Sequence, residues 1–213
     1  MGGRVVSLTE ALGSGAPTIA SAVGVQLGIP VVDREVLLRA AQEAGVSPET
    51  IEEAERAPSF LARMAESLTV SEEVDEPMDP PEVFLNLSVV RNERYRELIE
   101  RVIRGLADNS EAVIIGHGSH VILREHPNVL RVYLAAPLRV RAARISAARG
   151  IDLARAEDAV RTHDVARRNY FEQQYNVRRN EAQNYDLCLR TDKLTFETCT
   201  EIICLAVTRI AGA

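Results

Sequence analysis

The feature that most constrains the fold is a run of four apolar residues, Ala112-Val113-Ile114-Ile115, that empties directly into Gly116-His117-Gly118-Ser119. A strand that is apolar on both sides of its pleat has to be covered on both faces, as in a parallel sheet. The same grammar recurs along the chain. Val5-Val6-Ser7-Leu8 leads toward Gly13-Ser14-Gly15, Ile29 to Val32 closes on Asp33, Val129 to Ala135 precedes Pro137, and Tyr185 to Leu189 forms a last short run. Between these runs the period lengthens to that of a helix. Ile19, Ala20, Val23 and Leu27 follow Pro17, and Gly28 with Pro30 marks the stop. Asp33 is placed to cap a helix from Arg34 to Ala44, and Ser47-Pro48 opens another. Further helices fit Val83 to Ala107 (broken by Asp108-Asn109-Ser110), the residues after Pro137, Ile151 to about Val177, and Thr195 to Ile210. Strands alternating with helices predict an α/β fold of three layers, a parallel sheet with helices on both faces. Such sheets bind ligands at the carboxyl ends of their strands. Here those ends are the 10–18 loop, Asp33, the 116–119 turn and Ala135-Ala136-Pro137.

Length and composition set the remaining bounds. With 213 residues, 46% hydrophobic and 26% charged, the chain suits one domain with a proper core. No apolar run reaches the roughly 18 residues that would span a bilayer, and the first residues lack the pattern of a signal peptide. The expectation is a cytoplasmic protein without a membrane partner. Cys188, Cys199 and Cys204 have no CxxC spacing and read as small buried hydrophobes. His117, His120, His126 and His163 fall in no metal-binding pattern, so no metal site is expected.

Charge is unevenly spread. Eleven acidic residues lie between Glu49 and Glu82 against Arg56 and Arg63, whereas ten arginines lie between Arg139 and Arg179 against five acids. The acidic block argues against nucleic acid as a partner, and the arginine block suits small anions such as phosphates. Residues 69–81, acidic and rich in proline, read as a mobile loop.

A strand, a glycine-rich turn and a helix N-terminus make a ready anion site. Against the phosphate-loop signature GxxxxGK[ST], Gly15 aligns with the last glycine, Glu10 with the first, Ala16 with the lysine and Pro17 with the hydroxyl residue. Thr18 alone keeps a hydroxyl nearby. The basic side chains are 24 arginines and a single lysine, Lys193, so nothing in the loop replaces the missing cation. By itself the Gly-Ser-Gly could equally be a tight turn.

Larger blocks carry a resemblance. Leu12-Gly13-Ser14-Gly15-Ala16-Pro17-Thr18-Ile19-Ala20, Leu27-Gly28-Ile29-Pro30-Val31-Val32-Asp33 and Ile114 to Leu123 are similar in order and spacing to the cytidylate kinase-like family. Asn128 to Pro137, Arg141-Ala142-Ala143-Arg144, Asp164 to Tyr170 and Tyr185 to Asp192 continue the likeness over nearly the whole chain. The resemblance implies a nucleoside-monophosphate kinase-like fold of the P-loop class, with ATP and Mg²⁺ as cofactors and a small nucleotide as ligand. It implies a single domain over 1–213 with a helical acceptor-side insertion at about 34–107 and an arginine-rich lid at about 141–180. Homo-oligomerisation is left open. Two departures stand out: Ala16-Pro17 replaces the family's Gly-Arg, and His117 replaces the arginine of its middle turn.

The candidate residues follow. Gly13, Ser14, Gly15 and Thr18 would form the phosphate loop. Arg144, Arg167 and Asp164 are the candidates for catalysis, with Arg141 and Arg168 as further lid cations. Their spacing, Arg141 with Arg144 and Asp164 with Arg167 and Arg168, equally suits ordinary ion pairs on exposed helices. By the resemblance, Asp33, Arg34, Arg39, His117 and Ser119 would face the acceptor nucleotide. Two functions are consistent with this reading: a cytidylate-like kinase, and a weak or inactive nucleotide-binding protein on the same scaffold. A module that has lost its ligand and binds protein is the third.

Overall fold

The computed structural model describes residues 4–33 and 93–210. The helices expected from Arg34 and Ser47, the 69–81 loop, and Arg34 and Arg39 themselves lie outside the described residues. The chain divides into two compact units, Met1–Leu38 with Glu100–Ala213, and Arg39–Ile99. Of the second, only the opening turns of one helix are described.

Five strands form one sheet: β1 (Val5–Glu10), β2 (Val31–Val32), β3 (Ala112–Ile115), β4 (Val129–Ala135) and β5 (Leu187–Arg190). Their spatial order is β2-β3-β1-β4-β5, and every pairing is parallel. The helices are α1 (Ala16–Leu27), α2 (Glu93–Asn109), α3 (Ser119–Ile122), α4 (Leu138–Arg149), α5 (Leu153–Tyr175) and α6 (Phe196–Ile210). Putting β1 between β3 and β4 brings the glycine turn after β1 and the turn after β3 to the same end of the sheet.

The pleat of β1 explains its composition. Val6 and Leu8 point into a core shared with Ile19, Ala20 and Val23 of α1, Val113, Leu130, Val132 and Leu134 of the neighbouring strands, and Cys199, Ile203 and Val207 of α6. Alternate residues of β1 face the other way, where Ser7 Oγ lies 2.7 Å from Ser119 Oγ and Thr9 Oγ1 lies 3.1 Å from His120 Nδ1. All four residues are buried, so each polar group needs the partner it has. The serine that interrupts the apolar run of β1 is thus the strand's tie to α3, a short helix that the sequence reading took only for a turn.

Boundaries differ from expectation for local reasons. The arginine-rich helix begins at Leu153, because Asp152 caps it by accepting a hydrogen bond from Arg155 N–H at 2.9 Å. Gly150, with φ +66°, ends α4 just before it. The last strand starts at Leu187, which leaves Tyr185 free to pack as a buried ring. Cys199 and Cys204 are buried in α6 as expected, but Cys188 is exposed on edge strand β5. Among the described residues, no helix is long and apolar enough to cross a membrane.

Candidate functional site

The loop between β1 and α1 is shaped by what lies beneath it. Ser14 N–H closes a turn on Ala11 C=O at 2.9 Å, and Gly13 and Gly15 take left-handed φ of +84° and +92°. Two α4 arginines hold the loop backbone. Arg141 Nη1 donates to Leu12 C=O at 3.3 Å and Nε to Ala136 C=O at 2.9 Å; Arg144 Nη1 donates to Gly13 C=O at 3.2 Å. Arg144 also donates to Thr191 Oγ1 and to Thr191 C=O, at 2.9 and 2.6 Å, and its guanidinium lies 5.0 Å from the centre of the Phe196 ring. Both candidate arginines are therefore engaged with the loop and its supports. Asp164 receives Arg141 in a two-pronged ion pair at 3.1 and 2.6 Å. Arg141 is only 6% exposed, so removing its partner leaves a charge with poor solvation. We expect Asp164→Ala to cost about 2 kcal/mol in urea unfolding, below the 3–5 of a fully buried pair because Asp164 itself is partly exposed. A loss under ~0.5 kcal/mol would mean the pair is of the weak surface kind.

A second cluster lies on the α3 face of the sheet. His120 stacks on Tyr185, Tyr185 stacks on Tyr133, and Phe171 tilts against His120, each pair with centroids 5.0 Å apart. Tyr185 Oη donates to Arg179 C=O at 2.6 Å, which pins the backbone of Arg179, and the Arg179 guanidinium lies 5.6 Å from the centre of Tyr133. Arg179 is buried at 8% exposure, and no carboxylate among the described residues lies within ion-pairing distance of it or of Arg167. Arg167 Nε donates to His163 Nε2 at a long 3.5 Å. An accepting Nε2 means that His163 is neutral there.

Electrostatics agree with that geometry. Burial pushes both His120 and His163 down to about 3; nearby arginines add to the effect, Arg179 and Arg131 for His120, and Arg167, Arg179, Arg141 and Arg149 for His163. Burial, then the neighbouring Arg179, bring Arg167 down to about 10. The acid that answers these cations is Glu10. Its Oε2 accepts the Ala16 N–H at 3.3 Å, across the mouth of the loop. Burial raises its carboxyl above the usual range, while the Ala16 hydrogen bond, Arg179 and Arg167 pull it back.

The other expected site residues fall as follows. Ser14 is fully buried, and its hydroxyl has no hydrogen-bond partner among the described residues; Thr18 is exposed on α1. Asp33 is exposed just past β2, and Arg168 is exposed on α5. His117 holds φ +54° in its glycine turn, and Ser119 is committed to Ser7. The sequence reading passed over Glu10, His120, His163 and Arg179 as site residues. Glu10 had a signal, an acid at a glycine position of the loop motif. Arg179 had none beyond belonging to an arginine-rich stretch.

With the geometry in place, comparison with known proteins adds ancestry. A model of the Cytidylate kinase-like family matches residues 5–193. The chain belongs to this family. No curated protein matches it. Among solved structures, an uncharacterized protein from Eubacterium ventriosum superposes with a TM-score of 0.70 at 17% identity, covering 97% of this chain and 98% of that one. Shikimate kinase from Acinetobacter baumannii, in complex with shikimate, gives 0.52 at 12% identity, with coverage of 97% and 94%. A gluconokinase from Sinorhizobium meliloti gives 0.51 at 14%, with coverage of 99% and 94%. At such identities the likeness is one of fold, a parallel-sheet P-loop kinase architecture.

The residues present do not fit a magnesium-bound triphosphate in the way this kinase-like family's fold would suggest. Ala16 and Pro17 stand where the loop motif has its lysine and hydroxyl, Pro17 has no N–H to offer, and a carboxylate already holds the Ala16 N–H.

Proposed function

We propose that this member of the cytidylate kinase-like family is a nucleotide-binding protein that holds the phosphate of a small nucleotide and transfers phosphoryl groups weakly or not at all. The observation that carries the reading is the pair Arg167 and Arg179. The charge of both acts on Glu10, the last residue of β1, and neither has an ion-pairing carboxylate among the described residues. Arg179 is buried and Arg167 half-buried; a guanidinium partly withdrawn from water and beyond ion-pairing distance of such a carboxylate is costly, and an anionic ligand relieves that cost with charge-assisted, two-pronged hydrogen bonds. Phosphoryl transfer needs positioning and charge neutralisation more than covalent help. In this chain the positions of the loop motif that would neutralise a donor triphosphate are empty of charge.

The test is calorimetric titration with CMP, and with ATP in the presence and absence of Mg²⁺, on the wild type and on Arg167→Ala and Arg179→Ala. We expect micromolar binding of CMP that weakens by at least about tenfold in each variant, in line with loss of a charged hydrogen bond. Phosphoryl transfer from ATP to CMP should be barely measurable. Brisk transfer would restore the kinase reading. The absence of heat with any nucleotide, in folded protein, would leave only the scaffold and point to protein partners.

A further inference from the structure

We infer that Glu10 is a specificity-determining residue: its carboxylate occupies the anion position of the phosphate loop and so selects against polyphosphate ligands there. The inference deepens the nucleotide-binding reading and rests on it for the identity of the site. Three observations converge on it. Glu10 is the last residue of β1, and Ala16 is the first of α1, so the side chain spans the mouth of the turn at the positive end of the helix. Its Oε2 takes the backbone N–H of Ala16, the residue aligned with the motif's lysine. The charges acting on it are Arg179 and Arg167, neither of which has an ion-pairing carboxylate among the described residues. A helix N-terminus and two arginines are what a phosphate would seek, and here the chain supplies the anion itself. At the first position of the motif a glycine would leave that space to the ligand.

The electrostatic consequence is direct. A polyphosphate entering the loop would meet a like charge at contact distance, in surroundings where screening by water is reduced. It would also have to displace the carboxylate from Ala16 N–H. A monophosphate held by the arginines alone, outside the loop, escapes both penalties. The residue therefore divides ligands by how many phosphates they place in the turn.

The simpler account is that Glu10 only caps α1, and two substitutions separate the two roles. Glu10→Gln removes the charge but keeps an amide oxygen to accept the Ala16 N–H; Glu10→Ala removes both. The probe is inorganic tripolyphosphate, titrated calorimetrically into full-length wild type and each variant, with thermal melts run on the same preparations. We expect both variants to bind tripolyphosphate at least about tenfold more tightly than the wild type, the effect of removing one like charge at short range. Unchanged affinity in both, whether measurable or not, overturns the inference and leaves Glu10 a cap, the more so if only the alanine variant melts lower. CMP is titrated in parallel. CMP binding without a tripolyphosphate gain sinks the specificity role alone. A tripolyphosphate gain without CMP binding by any form sinks the nucleotide reading and sustains the role of Glu10 in the loop.

Discussion

Replacing Gly15 with alanine is expected to cost the protein about 3 kcal/mol. Two terms contribute. At φ +92° an L-residue sits in a left-handed backbone conformation that costs it roughly 1–2 kcal/mol. The added Cβ would also run into Phe196 Cζ and lie 2.7 Å from its Cε1. Phe196 cannot step aside cheaply. It opens α6, which anchors itself through buried Cys199, Ile203 and Val207, and Arg144 lies over its ring. Overpacking of this kind typically costs a further 1–3 kcal/mol. Gly28 supplies the control, since it has φ +69° but no atom within 4 Å of its would-be Cβ. Gly28→Ala should lose only about 1 kcal/mol, the backbone term alone. Urea unfolding of the two variants therefore isolates the packing term as their difference. Equal losses would mean that Phe196 moves freely and does not wall the loop.

That pair of glycines also shows how far the sequence could be read. Gly28 is legible as a helix stop, because a left-handed C-cap is a local matter between one residue and the four before it. Gly15 is legible as part of a phosphate turn, but its conflict with Phe196 is not, because 181 positions separate them in the chain. The sheet was readable for the first reason. Apolar runs ending in glycine turns mark β1 and β3, and period alone located β4 and α6. The site was readable only in outline. Spacing put Arg141 and Arg144 on one helix face, but nothing local says that they reach the carbonyls of Leu12 and Gly13. Spacing likewise offered Asp164 to Arg167 or Arg168 along its own helix, whereas it pairs with Arg141 from α4. His120 looked like one more histidine in a turn. Its burial against Phe171 and Tyr185 comes from three separate stretches of chain that meet only in the fold.

Those buried histidines lead to the second large effect, an acid sensitivity that begins well above the range of carboxylates. In the folded protein His120 and His163 stay neutral down to about 3, whereas in the unfolded chain they take up a proton near 6.5. Below pH 6.5 the unfolded state binds more protons, so stability falls as the pH falls, across the window from 6.5 to about 3. By pH 5 the linkage amounts to about 2 kcal/mol for fully buried His120. Half-buried His163, discounted for solvent, adds roughly 1. Glu10 acts in the opposite sense. Its folded pKa is raised, so the folded state takes its proton first and regains some stability at the acid end of the window. Urea unfolding at intervals between pH 7.5 and 5 should therefore show a loss of about 3 kcal/mol, and His120→Asn should remove the larger part of that slope. Stability that is flat over the interval would mean that the two rings charge in place, beside arginines that make this unfavourable. The same arginines tie the prediction to the site. A neutral His163 accepts from Arg167 without neutralising it, so the guanidinium keeps its charge for whichever anion arrives, the carboxylate of Glu10 or the phosphate of a ligand.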